Sequence, residues 1–235
     1  MVRIGKELDP TYENQVIEIL RDYKDVFAWT YEDMKEKPPH ICEHKIELKP
    51  NTKLIKKNRY QMNPNYAAKV KEEIDKLLKT GFIYPVDRAE WLSPIVIMPK
   101  KNGKLRVCID YRKLNGSTKS DPFPLPFTEE ILETVAGHEI LSLLDGFNGY
   151  NQVRVAPEDQ PKTCFITELG AYATRVMSFG LMSAPSIFQR GVMTIFAEFL
   201  NDFMKVFLEI LVYMGQMRII SSILSFVFND VESVN

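Results

Sequence analysis

An acidic residue closes an apolar run in the middle of the chain: Ile140, Leu141, Leu143 and Leu144 lead to Asp145, and Gly146-Phe147-Asn148-Gly149 follows. A strand that ends in a carboxylate and then turns over glycine puts that group at a sheet edge, where a divalent cation and a phosphate could meet it. The competing reading is an aspartate that caps the following turn. A second cluster is cationic. Lys100, Lys101, Lys104 and Arg106 surround Asn102-Gly103, and asparagine-glycine between two apolar runs predicts a hairpin that projects those charges toward an anion. A third, His40-Ile41-Cys42-Glu43-His44, holds metal-ligating residue types, but it follows Pro38-Pro39 and matches no usual zinc spacing, so no metal is expected there.

Charge is unevenly spread over the 235 residues. Residues 1–44 carry 6 basic and 10 acidic side chains, 45–119 carry 18 and 7, and 120–235 carry 6 and 14, although the net charge is only -1. The middle third is the candidate polyanion-binding surface, against the plainer reading of a solvated lysine-rich face. Cys42, Cys108 and Cys164 are too scattered for a disulfide framework or a metal knuckle, which suits a reducing compartment. No apolar signal core opens the chain, and the apolar run at 219–228 is too short to span a bilayer, so a soluble intracellular protein is expected.

The elements that must position these groups follow from periodicity. Val16, Ile19, Leu20 and Tyr23 recur at helical spacing over 11–24, with Thr11 as N-cap candidate. Ala67, Val70, Ile74, Leu77 and Leu78 predict a helix over 64–80, opened by Pro64 and stopped by Gly81. Strands are expected at 82–86, 94–99 and 105–109, and three prolines at 120–127 force an extended connection. Beyond it the pattern gives a helix at 128–135, a strand at 140–144, a hairpin of 163–167 with 171–176, a helix at 184–200, and strands at 203–208 and 210–213 on both sides of Glu209. That order is α+β, with helices on one face of an antiparallel sheet.

Residues 82–189 resemble, segment by segment, the reverse transcriptase of Ty3/gypsy-type LTR retrotransposons, especially the plant elements. The landmarks are Trp91-Leu92-Ser93-Pro94, Pro99-Lys100-Lys101-Asn102-Gly103-Lys104-Leu105-Arg106, Asp110-Tyr111-Arg112-Lys113-Leu114-Asn115, and Phe123-Pro124-Leu125-Pro126. They continue with Leu143-Leu144-Asp145-Gly146-Phe147-Asn148-Gly149-Tyr150 and Phe179-Gly180-Leu181-Met182-Ser183-Ala184-Pro185-Ser186-Ile187-Phe188-Gln189. The resemblance implies the fingers and palm of a right-hand polymerase, an α+β fold with an antiparallel palm sheet and no thumb. It divides the chain into an upstream Pol region at 1–59, fingers at 60–125, palm at 126–215 and a non-homologous tail at 216–235.

The resemblance also implies the chemistry. Arg106 and Lys100 or Lys101 hold the nucleotide triphosphate, Tyr150 lies beneath the sugar and excludes a 2′-hydroxyl, and Phe179 with Gly180 forms the loop below the nucleotide. Asp110 and Arg112 are expected to steady the hairpin. Ser183 stands where relatives usually have asparagine and Ser178 where they usually have proline. The implied partners are an RNA or DNA primer-template and dNTPs, with no membrane. The implied cofactor is a pair of Mg²⁺ ions held by an aspartate at Asp145 and an Asp-Asp pair in a later hairpin. The stretch matching that pair reads Phe207-Leu208-Glu209-Ile210-Leu211-Val212-Tyr213. Either Glu209 and Ile210 replace the pair one for one, or one aspartate is deleted and Glu209 replaces the other; the deletion is preferred because Ile210-Leu211-Val212-Tyr213 then matches the apolar run that follows. Both leave Asp145 and Glu209 as the metal-binding carboxylates and predict a disabled enzyme, from a frameshifted, misspliced or truncated copy. The alternative is a non-catalytic nucleic-acid-binding remnant or pseudogene product.

Overall fold

The computed structural model describes residues 3–5, 8–34, 37–60, 63–99, 105–200 and 202–215. Among them lie α1 (Pro10–Asp22), β1 (Glu43–His44), α2 (Pro64–Lys79), β2 (Ile83–Pro85), β3 (Ser93–Pro99), β4 (Leu105–Ile109), α3 (Arg112–Ser117), α4 (Thr128–Val135), β5 (Ile140–Asp145), β6 (Arg154–Val155), β7 (Phe165–Thr167), β8 (Gly170–Thr174), α5 (Ala184–Ile195), β9 (Met204–Phe207) and β10 (Ile210–Gly215). These group into two compact units. One is drawn from the described residues of Met1–Lys35, Leu125–Phe147 and Val192–Asn235; the other is drawn from those of Glu36–Pro124 and Asn148–Gly191.

The first unit holds a three-stranded antiparallel sheet in the order β5-β10-β9. β10 pairs with β5 from Ile210↔Asp145 to Gly215↔Ile140, and with β9 from Ile210↔Phe207 to Tyr213↔Met204. Residues directly opposite in an antiparallel pair share a face, so Tyr213, Met204 and Val206 lie on one face of the sheet and Asp145, Ile210 and Phe207 on the other. Met204 and Tyr213 have no exposed surface. The second unit holds a five-stranded sheet in the order β2-β8-β7-β3-β4 and a two-stranded pair of β1 with β6. α2 covers that sheet through Val70 and Ile74, which pack with Ile83, Ile95, Phe165 and Tyr172. Burying each such side chain is worth roughly 1.5–3 kcal/mol.

Three differences from the sequence-based expectations have plain physical causes. α1 is capped by Asp9, not Thr11: the Asp9 carboxylate accepts from the Thr11 amide at 2.8 Å, which places Pro10 in the first turn, where its missing N–H is harmless. α5 ends at Ile195, five residues short of the expected 200, because Phe196 and Phe199 are buried in a turn and not on a helix face. The β7–β8 hairpin joins β2 and, in parallel, β3 through Ser93↔Phe165 and Pro94↔Ile166. The sequence reading names no partner strand for it, because pairing over such a separation leaves no local mark in the chain. No helix among the described residues is long and apolar enough to cross a membrane.

Candidate functional site

Asp145 is the last residue of β5 and is exposed. Its register partner on β10 is Ile210, and the next backbone contact past it joins the Gly146 amide to the Glu209 carbonyl at 2.8 Å. Phe207 and Ile210 pair across β9 and β10, so Leu208-Glu209 is a two-residue turn. Such turns favour residues that accept positive φ; here Leu208 takes it at 54°. Glu209 therefore sits at the hairpin tip, half-buried, and the side chain that shares a face with Asp145 is an isoleucine. The strand pairing thus brings Asp145 and Glu209 to the same end of one sheet, while apolar Ile210 occupies the position opposite the aspartate.

In the second unit, Arg106 lies on β4 opposite Met98 of β3 and is exposed. Lys100 and Lys101, and the whole turn between these strands, lie outside the described residues. Tyr150 sits in a 3-10 turn, Gly149–Gln152, and is buried. Its ring centroid is 4.9 Å from that of Phe179 and 5.4 Å from that of Phe188. Phe179 is half exposed. Gly180 takes φ +97, and a Cβ there would press on the Ile109 carbonyl at 3.4 Å, so both conformation and space call for glycine.

Asp110 organises the base of β4. The Arg112 guanidinium donates to both its oxygens, at 2.7 and 2.8 Å, and Tyr60 donates its hydroxyl at 3.0 Å. The Arg112 bonds hold the carboxyl of Asp110 well below the usual range, against the opposing effect of burial. Tyr111, fully buried, donates its hydroxyl to the Thr163 carbonyl at 3.0 Å and lies 3.4 Å from the Ser178 hydroxyl, and burial pushes its phenol up. Ser183 is buried beside the same loop. Sequence reasoning missed Asn115: its amide donates to the Gly180 carbonyl at 2.8 Å and its carbonyl accepts from the Met182 amide at 3.0 Å. One side chain thereby fixes both ends of the Gly180 turn. An asparagine in a short helix beside Gly116 signals only a turn from sequence, so its partners 65 and 67 residues away were invisible.

The family model described as reverse transcriptase (RNA-dependent DNA polymerase) matches residues 98–232. The chain belongs to the reverse transcriptase family. Among curated relatives, the transposon Tf2-3 and Tf2-7 polyproteins of Schizosaccharomyces pombe (strain 972 / ATCC 24843) are each 31% identical over 186 residues, which is 79% of this reverse transcriptase chain and 14% of the relative. The chain thus spans about a seventh of their length. Among solved structures, it resembles the foamy viral protease-reverse transcriptase in complex with RNA/DNA hybrid, at TM-score 0.85 and 19% identity, over 97% of this chain and 30% of that one. The foamy viral protease-reverse transcriptase dRH in complex with ds DNA gives TM-score 0.84 at 19% identity, covering 97% of this chain and 40% of that one. At these identities the likeness speaks for the fold: mixed α and β, as in reverse transcriptases.

Proposed function

We propose that this chain is the reverse transcriptase segment of a retrotransposon Pol polyprotein whose metal cage is incomplete. The observation that carries the reading is the register pair Asp145↔Ile210. The family chemistry uses three carboxylates to hold two Mg²⁺ ions, one lowering the pKa of the primer 3′-hydroxyl and one steadying the leaving pyrophosphate. Here Asp145 and Glu209 are the two carboxylates at the sheet end, and no cluster of three metal-ligating side chains occurs among the described residues. Glu209 also reaches one methylene further than an aspartate, and a misplacement of about 1 Å can cost on the order of 10²-fold in rate. The donor set does not fit a two-ion site, so no catalytic step is routed through it.

What remains supports substrate binding. Arg106, with Lys100 and Lys101, provides cationic donors for a dNTP triphosphate, Phe179 and Gly180 form the loop below the nucleotide, and Tyr150 supplies the sugar-sensing ring. A primer-template of RNA or DNA is the polyanionic partner that suits the basic middle third of the chain. The fingers run over 60–125 and the palm over 126–215, in a soluble protein of the cytoplasm or nucleus.

The test is primer extension on an RNA template with Mg²⁺ or Mn²⁺, comparing the unmodified chain with a Glu209→Asp, Ile210→Asp double variant. Extension only by the double variant is the expected result, because the new aspartate at 210 stands opposite Asp145. Extension by the unmodified chain would overturn the impairment.

A further inference from the structure

The turn that follows Asp145 is held in two ways. The Gly146 amide donates to the Glu209 carbonyl at 2.8 Å, which fixes the backbone just past the carboxylate. One residue further on, the half-buried ring of Phe147 meets that of Tyr31, with centroids 5.9 Å apart at an interplanar angle of 55°. Asn148 then takes φ +47, a left-handed conformation uncommon outside glycine that persists where surrounding contacts over-determine it. Tyr31, Asp145 and Phe147 all belong to the first compact unit, although Tyr31 comes from the stretch upstream of the polymerase landmarks. Tyr31 is itself presented by a locked turn. One oxygen of the Asp33 carboxylate accepts from the Trp29 amide at 3.0 Å, the Thr30 amide at 2.8 Å and the Thr30 hydroxyl at 3.0 Å. The Met34 amide donates to the Tyr31 carbonyl at 3.3 Å and closes a 3-10 turn over Tyr31–Asp33. Bonds to a carboxylate are the stronger kind, so the backbone that aims Tyr31 at Phe147 is set locally and does not depend on the ring contact.

We infer that the upstream arm braces the carboxylate turn: Tyr31 is a positioning residue for Asp145 and acts through Phe147. This rests on the reading of Asp145 as a carboxylate of the polymerase site. A carboxylate on the last residue of a strand has the ladder on one side of it only, so its direction depends on what holds the turn beyond. A drift of about 1 Å in a catalytic group can cost on the order of 10²-fold in rate. The tilted ring pair supplies the hold, because contact between two ring faces at an angle restrains both translation and tilt of Phe147. The arm that the sequence pattern reads as a linker thereby becomes a working part of the palm.

The test has two arms, both on the full chain. Amide hydrogen exchange, read by mass spectrometry, compares the unmodified chain with Tyr31→Ala and Tyr31→Phe. Tyr31→Ala should speed exchange in peptides covering 145–148 by about three- to tenfold, the range of one aromatic pair contact, and leave β3 and β4 in the other compact unit unchanged. Tyr31→Phe keeps the ring and should exchange as the unmodified chain does. Tyr31→Leu serves as a further variant should Ala upset the fold, since it keeps apolar bulk without a ring. Unaltered exchange at 145–148 in folded Ala or Leu variants would overturn the brace, as would faster exchange spread evenly over the chain, which marks general destabilisation. The second arm is primer extension in the Glu209→Asp, Ile210→Asp background. There Tyr31→Ala should lower kcat by about tenfold or more with KM for dNTP little changed, and Tyr31→Phe should recover it. A kcat indifferent to Tyr31→Ala would overturn the positioning role. Silence of that background with tyrosine in place would instead sink the reading of Asp145, while the exchange arm still decides whether Tyr31 holds the turn.

Discussion

At the scale of single residues, two buried polar groups set measurable behaviour. His44 is fully buried, and neither ring nitrogen has a hydrogen-bond partner among the described residues. Burial pulls its pKa from 6.5 down to about 4, although the carboxylates of Asp159 and Asp121 pull the other way. The folded state thus keeps the imidazole neutral while an unfolded chain takes up a proton near pH 6.5. Stability from this group is complete above that pH and drains away as pH falls toward 4, by at most roughly 3 kcal/mol. Melting midpoints that decline from pH 7 to pH 4.5 in the unmodified chain, and decline less in His44→Phe, would bear this out; parallel slopes would refute it. Tyr213 carries the second group: its hydroxyl is buried on the Met204 face of β10 without a partner among the described residues, and desolvation pushes the phenol up. Tyr213→Phe should stabilise the chain by about 1 kcal/mol in urea unfolding, since the donor and its unmet desolvation vanish together.

At the scale of elements, the seating of α5 is the sharpest constraint. Gly191 exists as glycine because Cys42 occupies the space of its Cβ. Gly191→Ala should destabilise by about 1–3 kcal/mol through overpacking, despite alanine's better helix propensity. Cys42→Ala in the same chain should recover most of that loss, so a double-mutant cycle with no coupling between the two sites would discard the explanation. The elements also show what pattern could and could not deliver. The strand at 105–109 and the helix at 128–135 appear with the expected bounds, because alternation and helical spacing are written locally. The helix expected over 64–80 ends at Lys79, where Gly81 at φ +73 turns the chain away. α3 was not expected at all: its six residues include Asn115 and Gly116, both poor helix formers, and its register is secured by the bonds Asn115 makes to the Gly180 turn.

At the scale of the whole molecule, charge rather than contact makes the prediction. The stretch 45–119 holds 18 of the 30 basic side chains. If that surface carries the primer-template, affinity should fall steeply between about 50 and 200 mM salt, in proportion to the phosphates neutralised. A flat titration in a filter-binding assay would remove the nucleic-acid reading altogether. Each compact unit is assembled from separated pieces of chain, so a cut at 125 would leave both units incomplete.

The inventory was legible in the chain: the fold class, the family motifs, the carboxylate at Asp145, the glycine at 180 and the missing second aspartate beside Glu209 are all written in residue types and spacing. Relations between distant residues arise only on folding. Ile210 stands opposite Asp145 because strand register is set by pairing between segments 65 residues apart. The β7–β8 hairpin joins β3, Asn115 holds the Gly180 turn, and Phe188 meets Tyr150 for the same reason. Periodicity reports which face of an element is apolar, but the partner of that face is fixed only when the chain closes on itself.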